Sequence, residues 1–171
     1  MKKFLFGIII GIFIPFVGGY FFVINGGMPV STSSPPLPME KFIARKALRA
    51  AIKGETGKTS PIAPDETNLL QGAKVYVNQC AVCHGLPQQH KSPIALGLFP
   101  RPPQLFDDDG VTDDPVGQTY WKVKNGIRLT GMPGFEKSLT DSEMWSVTLL
   151  LSNADKLPNS VKNSLASQAT H

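Results

Sequence analysis

Both cysteines of this 171-residue chain stand three positions apart, with a histidine directly behind the second: Cys80-Ala81-Val82-Cys83-His84. Nothing else limits the fold so sharply, because the chain must present two sulfurs and an imidazole to one object. A thioredoxin-like redox pair needs a strand–helix–strand setting, and no strand pattern flanks the motif. A structural zinc ion needs four ligands. His90 would be the fourth, but adjacent Cys83 and His84 fit poorly around one tetrahedral ion. A disulfide is the plain outcome in an oxidising compartment. The remaining reading is c-type haem attachment, in which the thiols add across two vinyl groups on one edge of the macrocycle. His84 then reaches the iron as proximal ligand. With two Cys and three His in the chain, chance rarely produces this spacing, and the motif predicts one covalent haem c with its iron.

The opposite iron face needs a ligand, and the candidates are Met132, His90, His171 and the other methionines. Met144 falls on a helix face that a core would use. Met39 lies upstream of the domain, His171 at the chain end, and His90 only six residues past His84. Met132 sits in Thr130-Gly131-Met132-Pro133-Gly134-Phe135, where glycine and proline give an irregular backbone suited to aiming a side chain inward. It is the expected sixth ligand.

Around these residues the pattern is helical. One helix is expected over about 68–79, with Asn68 as its cap. A second is expected over about 115–125, started by Thr112 or Asp113 and closed by Gly126. A third opens at the capping box Thr140-x-x-Glu143, with Leu139 and Met144 as a hydrophobic staple. No stretch alternates like a strand. The fold class is a small all-α domain of about three main helices with long loops, too thin to build a dense core without something at its centre.

The run Gly72-x-x-x-Tyr76-x-x-x-Cys80-x-x-Cys83-His84-Gly85 is followed by Asn125-Gly126-Ile127-Arg128-x-x-Gly131-Met132-Pro133-Gly134-Phe135 and by a last helix bearing Trp145. Together they resemble the monohaem class I cytochrome c family over residues 65–158. The resemblance implies that Gly72 lets the first helix cross the last closely, with Tyr76 packing near Trp145 and Leu149. It also implies that a proline carbonyl after the motif accepts a hydrogen bond from the proximal imidazole. Pro100, Pro102 and Pro103 all qualify. Arg101 and Arg128 either pair with haem propionates or serve as ordinary surface cations.

Ahead of this domain, Phe4 to Ile24 runs without a charge. As a helix it would rise about 31 Å, near the thickness of a bilayer core. With Lys2 and Lys3 before it, the run predicts a single transmembrane anchor over 1–24. The N-terminus would lie inside and the haem domain in the periplasm or another extracytoplasmic space. A cleaved signal peptide is the competing reading. Gly7-x-x-x-Gly11 matches a helix-dimer spacing, although glycine is common in such helices. Residues 25–64 read as a linker holding a basic amphipathic helix over 37–53. Lys41, Arg45, Arg49 and Lys53 lie on one side, and Met39, Phe42, Ile43, Ala47, Ala50 and Ala51 on the other. Its apolar side is expected to dock on the following domain, the alternative being a membrane surface. Residues 54–64 read as a second linker and 159–171 as a C-terminal tail.

Charge divides unevenly. Residues 1–60 carry eight Lys/Arg against two Asp/Glu, and residues 61–171 carry nine against eleven. The folded part is therefore not basic, which disfavours nucleic acid as a partner. The acidic run Asp107-Asp108-Asp109-Gly110-Val111-Thr112-Asp113-Asp114 lacks the spacing of a calcium loop and reads as solvated. The sequence thus predicts a membrane-tethered one-electron carrier rather than an enzyme. Membrane redox complexes or a dehydrogenase would be its donor or acceptor. The alternatives are a permanently docked haem subunit of a membrane oxidoreductase, or a haem enzyme or gas sensor with an exchangeable sixth position.

Overall fold

A computed structural model describes residues 2–107 and 110–167 and, within the first helix, the side chains of 4, 7, 8 and 10–24. His171 and the Asp108-Asp109 pair of the acidic run fall outside the described residues. The chain forms two units, Met1–Lys41 and Phe42–His171.

In the first unit, helix α1 runs Lys2–Ile24 with Pro15 inside it. Among the described residues no helix is long and apolar enough to cross a membrane. The expected transmembrane anchor over 1–24, and the localisation built on it, are corrected accordingly. Glycine and proline turns follow, and the Leu37 N–H donates to the Glu40 carboxylate at 2.8 Å.

Helix α2 is Glu40–Ile52, shorter at both ends than the expected 37–53. Its docking is also narrower than expected. Phe42 and Ile43 are 56% and 58% exposed, and only Ile52, at the last turn, is buried. The apolar side is rich in alanine and offers little area, so burial is confined to the end with a large aliphatic residue. Past α2, residues 54–64 do not behave as a free linker. The Gln118 amide donates to Thr56 Oγ1 at 2.7 Å, and Ile62 packs against the core. At Gly117 a Cβ would stand 2.2 Å from the Glu55 carbonyl oxygen, so this segment lies flat on the following helices.

Helix α3, Glu66–Val75, is capped by Asp65, whose carboxylate accepts the Asn68 N–H at 2.9 Å. Asn68 had been the expected cap; it lies inside the first turn instead. The chain then widens into a π turn, Tyr76–Cys80, before one α turn, α4 (Ala81–His84). A short α5, Pro93–Gly97, is capped by Ser92. Helices α6 (Val116–Asn125) and α7 (Asp141–Ser152) complete the frame. The box at the start of α7 is fully formed: Thr140 Oγ1 accepts the Glu143 N–H, and the Glu143 carboxylate accepts the Thr140 N–H. The two hydrogen bonds to Thr140 hold the Glu143 carboxyl below its ordinary pKa.

The core gathers where α3 crosses α7. At Gly72 a Cβ would lie 2.3 Å from the Ser146 carbonyl oxygen, so only glycine lets the two backbones approach this closely. Val147 and Leu150 of α7 are fully buried there. The aromatic partners differ from those expected. Tyr76 meets Phe106 edge-on at 4.9 Å, whereas Trp145 stacks on Tyr120 of α6 at 4.0 Å. Beyond Pro158 the expected tail instead forms α8, Asn159–Ser167, with Val161 and Leu165 buried. Ser160 of α8 bonds to Glu66 of α3.

Candidate functional site

A cleft partly open to solvent is bordered by Cys80, Cys83, His84 and Met132. Val147 and Leu151 of α7 form an apolar part of the lining.

Each donor is set by local backbone chemistry. The π turn carries Cys80 into the wall, and α4 then places Cys83 and His84 within one turn. Gly85 ends that turn at φ +73°, a left-handed conformation that glycine adopts freely. Its carbonyl accepts the Tyr76 hydroxyl at 2.7 Å. Burial pushes the Cys80 thiol up to about 12, with Cys83 adding to the effect. No cluster of three or more metal-binding His, Cys, Asp or Glu side chains occurs among the described residues. His90 is exposed and absent from the cleft lining, so the four-ligand zinc set is not assembled. Cys80 and Cys83 are unpaired.

The His84 imidazole Nδ1 lies 2.8 Å from the Pro103 carbonyl oxygen. A carbonyl only accepts, so Nδ1 carries the proton and Nε2 keeps its lone pair for a ligand. Burial lowers the His84 pKa, partly opposed by this hydrogen bond, which favours the neutral ring that iron binds. Of the three prolines left open by the sequence, Pro103 is the one bonded to His84, although Pro100 and Pro102 also border the cleft.

Met132 is half-buried in a loop closed on itself. Its carbonyl accepts the Ile127 N–H at 3.1 Å, and its own N–H donates to Thr130 Oγ1 at 3.1 Å. The Phe135 N–H returns to the Val123 carbonyl at 3.1 Å. Gly126 turns at φ +68°, where a Cβ would lie 2.5 Å from Gly134 N. Gly131 lies against Leu98, so this loop also packs on the stretch that follows the cysteine motif.

Of the two arginines singled out in the sequence, Arg101 borders the cleft and Arg128 does not. Gly72, Tyr76, Trp145 and Leu149 stand behind the site in the frame. Sequence reasoning missed Leu98, Val147, Leu151 and Gln104, which carry no motif of their own. Only the i, i+4 spacing of Val147 and Leu151 on one face of α7 pointed toward a buried surface.

Two thiols, one imidazole and one thioether, bordering one apolar cleft, fit haem c. Residues 67–150 match the family described as Cytochrome C oxidase, cbb3-type, subunit III. Residues 67–150 are a c-type cytochrome domain. The cytochrome accordingly binds haem c covalently. A chain of the reducing HAO-like protein complex of Kuenenia stuttgartiensis is similar at 26% identity, with a TM-score of 0.48. The likeness covers 58% of the cytochrome and 48% of that chain, so the cytochrome spans about half its length. No match is found among curated proteins.

Proposed function

We propose that the cytochrome is a one-electron carrier whose haem is joined to Cys80 and Cys83 and whose iron is held by His84 and Met132. The observation that carries this reading is that all four side chains border one cleft, with His84 Nδ1 already engaged by Pro103. The haem iron supplies a ferrous/ferric couple, and methionine as an axial ligand raises its potential. With His84 and Met132 both committed to holding the haem iron, no site would remain for substrate, which favours electron transfer over an enzyme or gas sensor. The protein orients the imidazole through Pro103, aims the sulfur through the Gly126–Gly134 loop and keeps water from the inner wall with Val147 and Leu151. Arg101, beside the cleft, is positioned to meet a propionate.

The surface supports docking with a redox partner. Past residue 53, the exposed large hydrophobics among the described residues are Val82, Ile94, Leu96 and Leu129, all on α4, α5 or the Met132 loop. Residues 81–106 and 115–135 carry Lys91, Arg101, Lys122, Lys124 and Arg128 and no acid. Lys122 and Lys124 pair with Asp114 and Glu136, so the positive charge of these stretches outside ion pairs among the described residues is on Lys91, Arg101 and Arg128. A partner with an acidic rim suits it, and a permanent complex with an oxidoreductase is the second reading on the same ground. Isolation as one stable complex would favour that second reading over a mobile carrier.

Haem staining after denaturing electrophoresis tests the attachment. The wild type is expected to keep the stain, because thioether bonds survive denaturation, and Cys83→Ser to lose part of it or fail to mature. Complete loss of haem from the wild type contradicts the proposal.

A further inference from the structure

The Pro103 carbonyl that accepts from His84 has little support of its own. Pro102 and Pro103 lack N–H groups, and among the described residues none from 98 to 105 takes part in a loop backbone–backbone hydrogen bond. Pro103 itself is exposed. An exposed, unbraced carbonyl would wander, yet this one must stay within hydrogen-bond reach of an iron ligand.

The next residue supplies the brace. The Gln104 side-chain amide donates to the Gln89 carbonyl at 3.2 Å, crossing to the strand of loop that leaves the haem motif. Its Nε2 also lies against Gly85, where a Cβ would come within 2.4 Å of it. Gly85 is fixed from its other side by the buried Tyr76 hydroxyl, and Tyr76 packs on Phe106, two residues past Gln104. Tyr76, Gly85, Gln104 and Pro103 therefore form a closed frame behind the His84 ring. The absence of a side chain at Gly85 is what leaves Gln104 room to cross.

We propose that Gln104 is a positioning residue, which holds the Pro103 carbonyl on His84 Nδ1 and thereby sets the electron donation of the imidazole. The proposal rests on His84 being the proximal ligand. A firmly held acceptor strengthens the imidazole as a donor and favours ferric iron; releasing it raises the reduction potential.

Gln104→Met keeps the length and removes the donor without adding a charge. In the full-length holoprotein the variant is expected to show a higher midpoint potential. In the diamagnetic ferrous state the His84 Nδ1–H resonance is expected to exchange with water at least tenfold faster. Ser92→Ala removes the bond from Ser92 Oγ to the Val82 carbonyl (2.6 Å) and loosens the same loop away from Pro103. It is expected to leave both readouts unchanged. An unchanged potential and exchange rate in Gln104→Met, with a wild-type optical spectrum, overturns the role of Gln104 alone. Equal shifts in both variants overturn it too, since loop looseness would then suffice. If replacing His84 leaves the haem spectrum intact, the ligand assignment itself falls, an outcome distinct from either.

Discussion

The α3–α7 crossing and the Met132 loop both depend on glycine, but for different reasons. At Gly72 the backbone is ordinary helix, and the constraint is space, since a Cβ would meet the Ser146 carbonyl oxygen at 2.3 Å. At Gly126 the constraint is conformation as well as space, with φ +68° and the backbone of Pro133 and Gly134 within 2.5 Å. The crossing is surrounded by fully buried side chains, whereas Leu129, in the loop, is 91% exposed and also left-handed at φ +62°. The frame therefore holds its shape by packing. The loop holds its shape by a few hydrogen bonds and contributes little to the core.

The difference predicts where damage shows. Gly72→Ala should be the most harmful change, costing about 3 kcal/mol of stability because two helices must separate. Denaturant unfolding would register it, and a cost below about 1 kcal/mol would mean the crossing can yield. Gly126→Ala should cost less, about 1–2 kcal/mol from the left-handed conformation, with more from the close backbone. Its main effect should be on Met132, seen as weaker sulfur ligation at an unfolding midpoint still well above that of Gly72→Ala. If Gly126→Ala proves the more destabilising of the two, the division between frame and loop is wrong.

Thr140→Ala should cost about 1 kcal/mol by removing the cap of α7. The lowered Glu143 pKa gives this a pH dependence. A depressed carboxyl stabilises the fold above its unfolded pKa and loses that contribution as pH falls through the folded value. The gap between wild type and Thr140→Ala should therefore narrow in acid, and a gap that widens there contradicts the box. Smallest of all is Ser146→Ala. Ser146 Oγ is buried without a hydrogen-bond partner among the described residues, so the change should be neutral or slightly stabilising. A loss above about 1 kcal/mol would reveal a partner for that hydroxyl.

The parts of the molecule legible in the sequence were those written in short-range chemistry. Thr140-x-x-Glu143 specifies its cap within four residues, and Cys80, Cys83 and His84 are fixed by covalent spacing. Met132 stood out because glycine and proline flank it. What escaped was decided by distant contacts. Asp65 rather than Asn68 caps α3, and either residue suits the role in isolation. Residues 54–64 looked like a linker because glycine and proline dominate them, yet Gln118 and Gly117 give them a surface to lie on. Val161 and Leu165 are only two apolar residues in a polar stretch, and they make a helix because α3 offers them cover. Gln104 has no signal at all, since its role exists only once Gly85 and Gln89 are brought beside it. The uncharged run 4–24 shows the opposite error. Its hydropathy alone suggested a membrane span that is not supported among the described residues.

In the proposed function a cysteine-bound haem would lie between the frame and the loop, held by His84 and Met132. The most direct test is the optical spectrum of the oxidised protein, recorded for wild type and for Met132→Ala. Ferric haem with a methionine sulfur shows a weak charge-transfer band in the near red. The wild type is predicted to show that band and to bind no carbon monoxide when reduced. Met132→Ala should lose the band, keep its haem and bind carbon monoxide. A wild type without the band that binds carbon monoxide readily, or a Met132→Ala variant that retains the band, would contradict it.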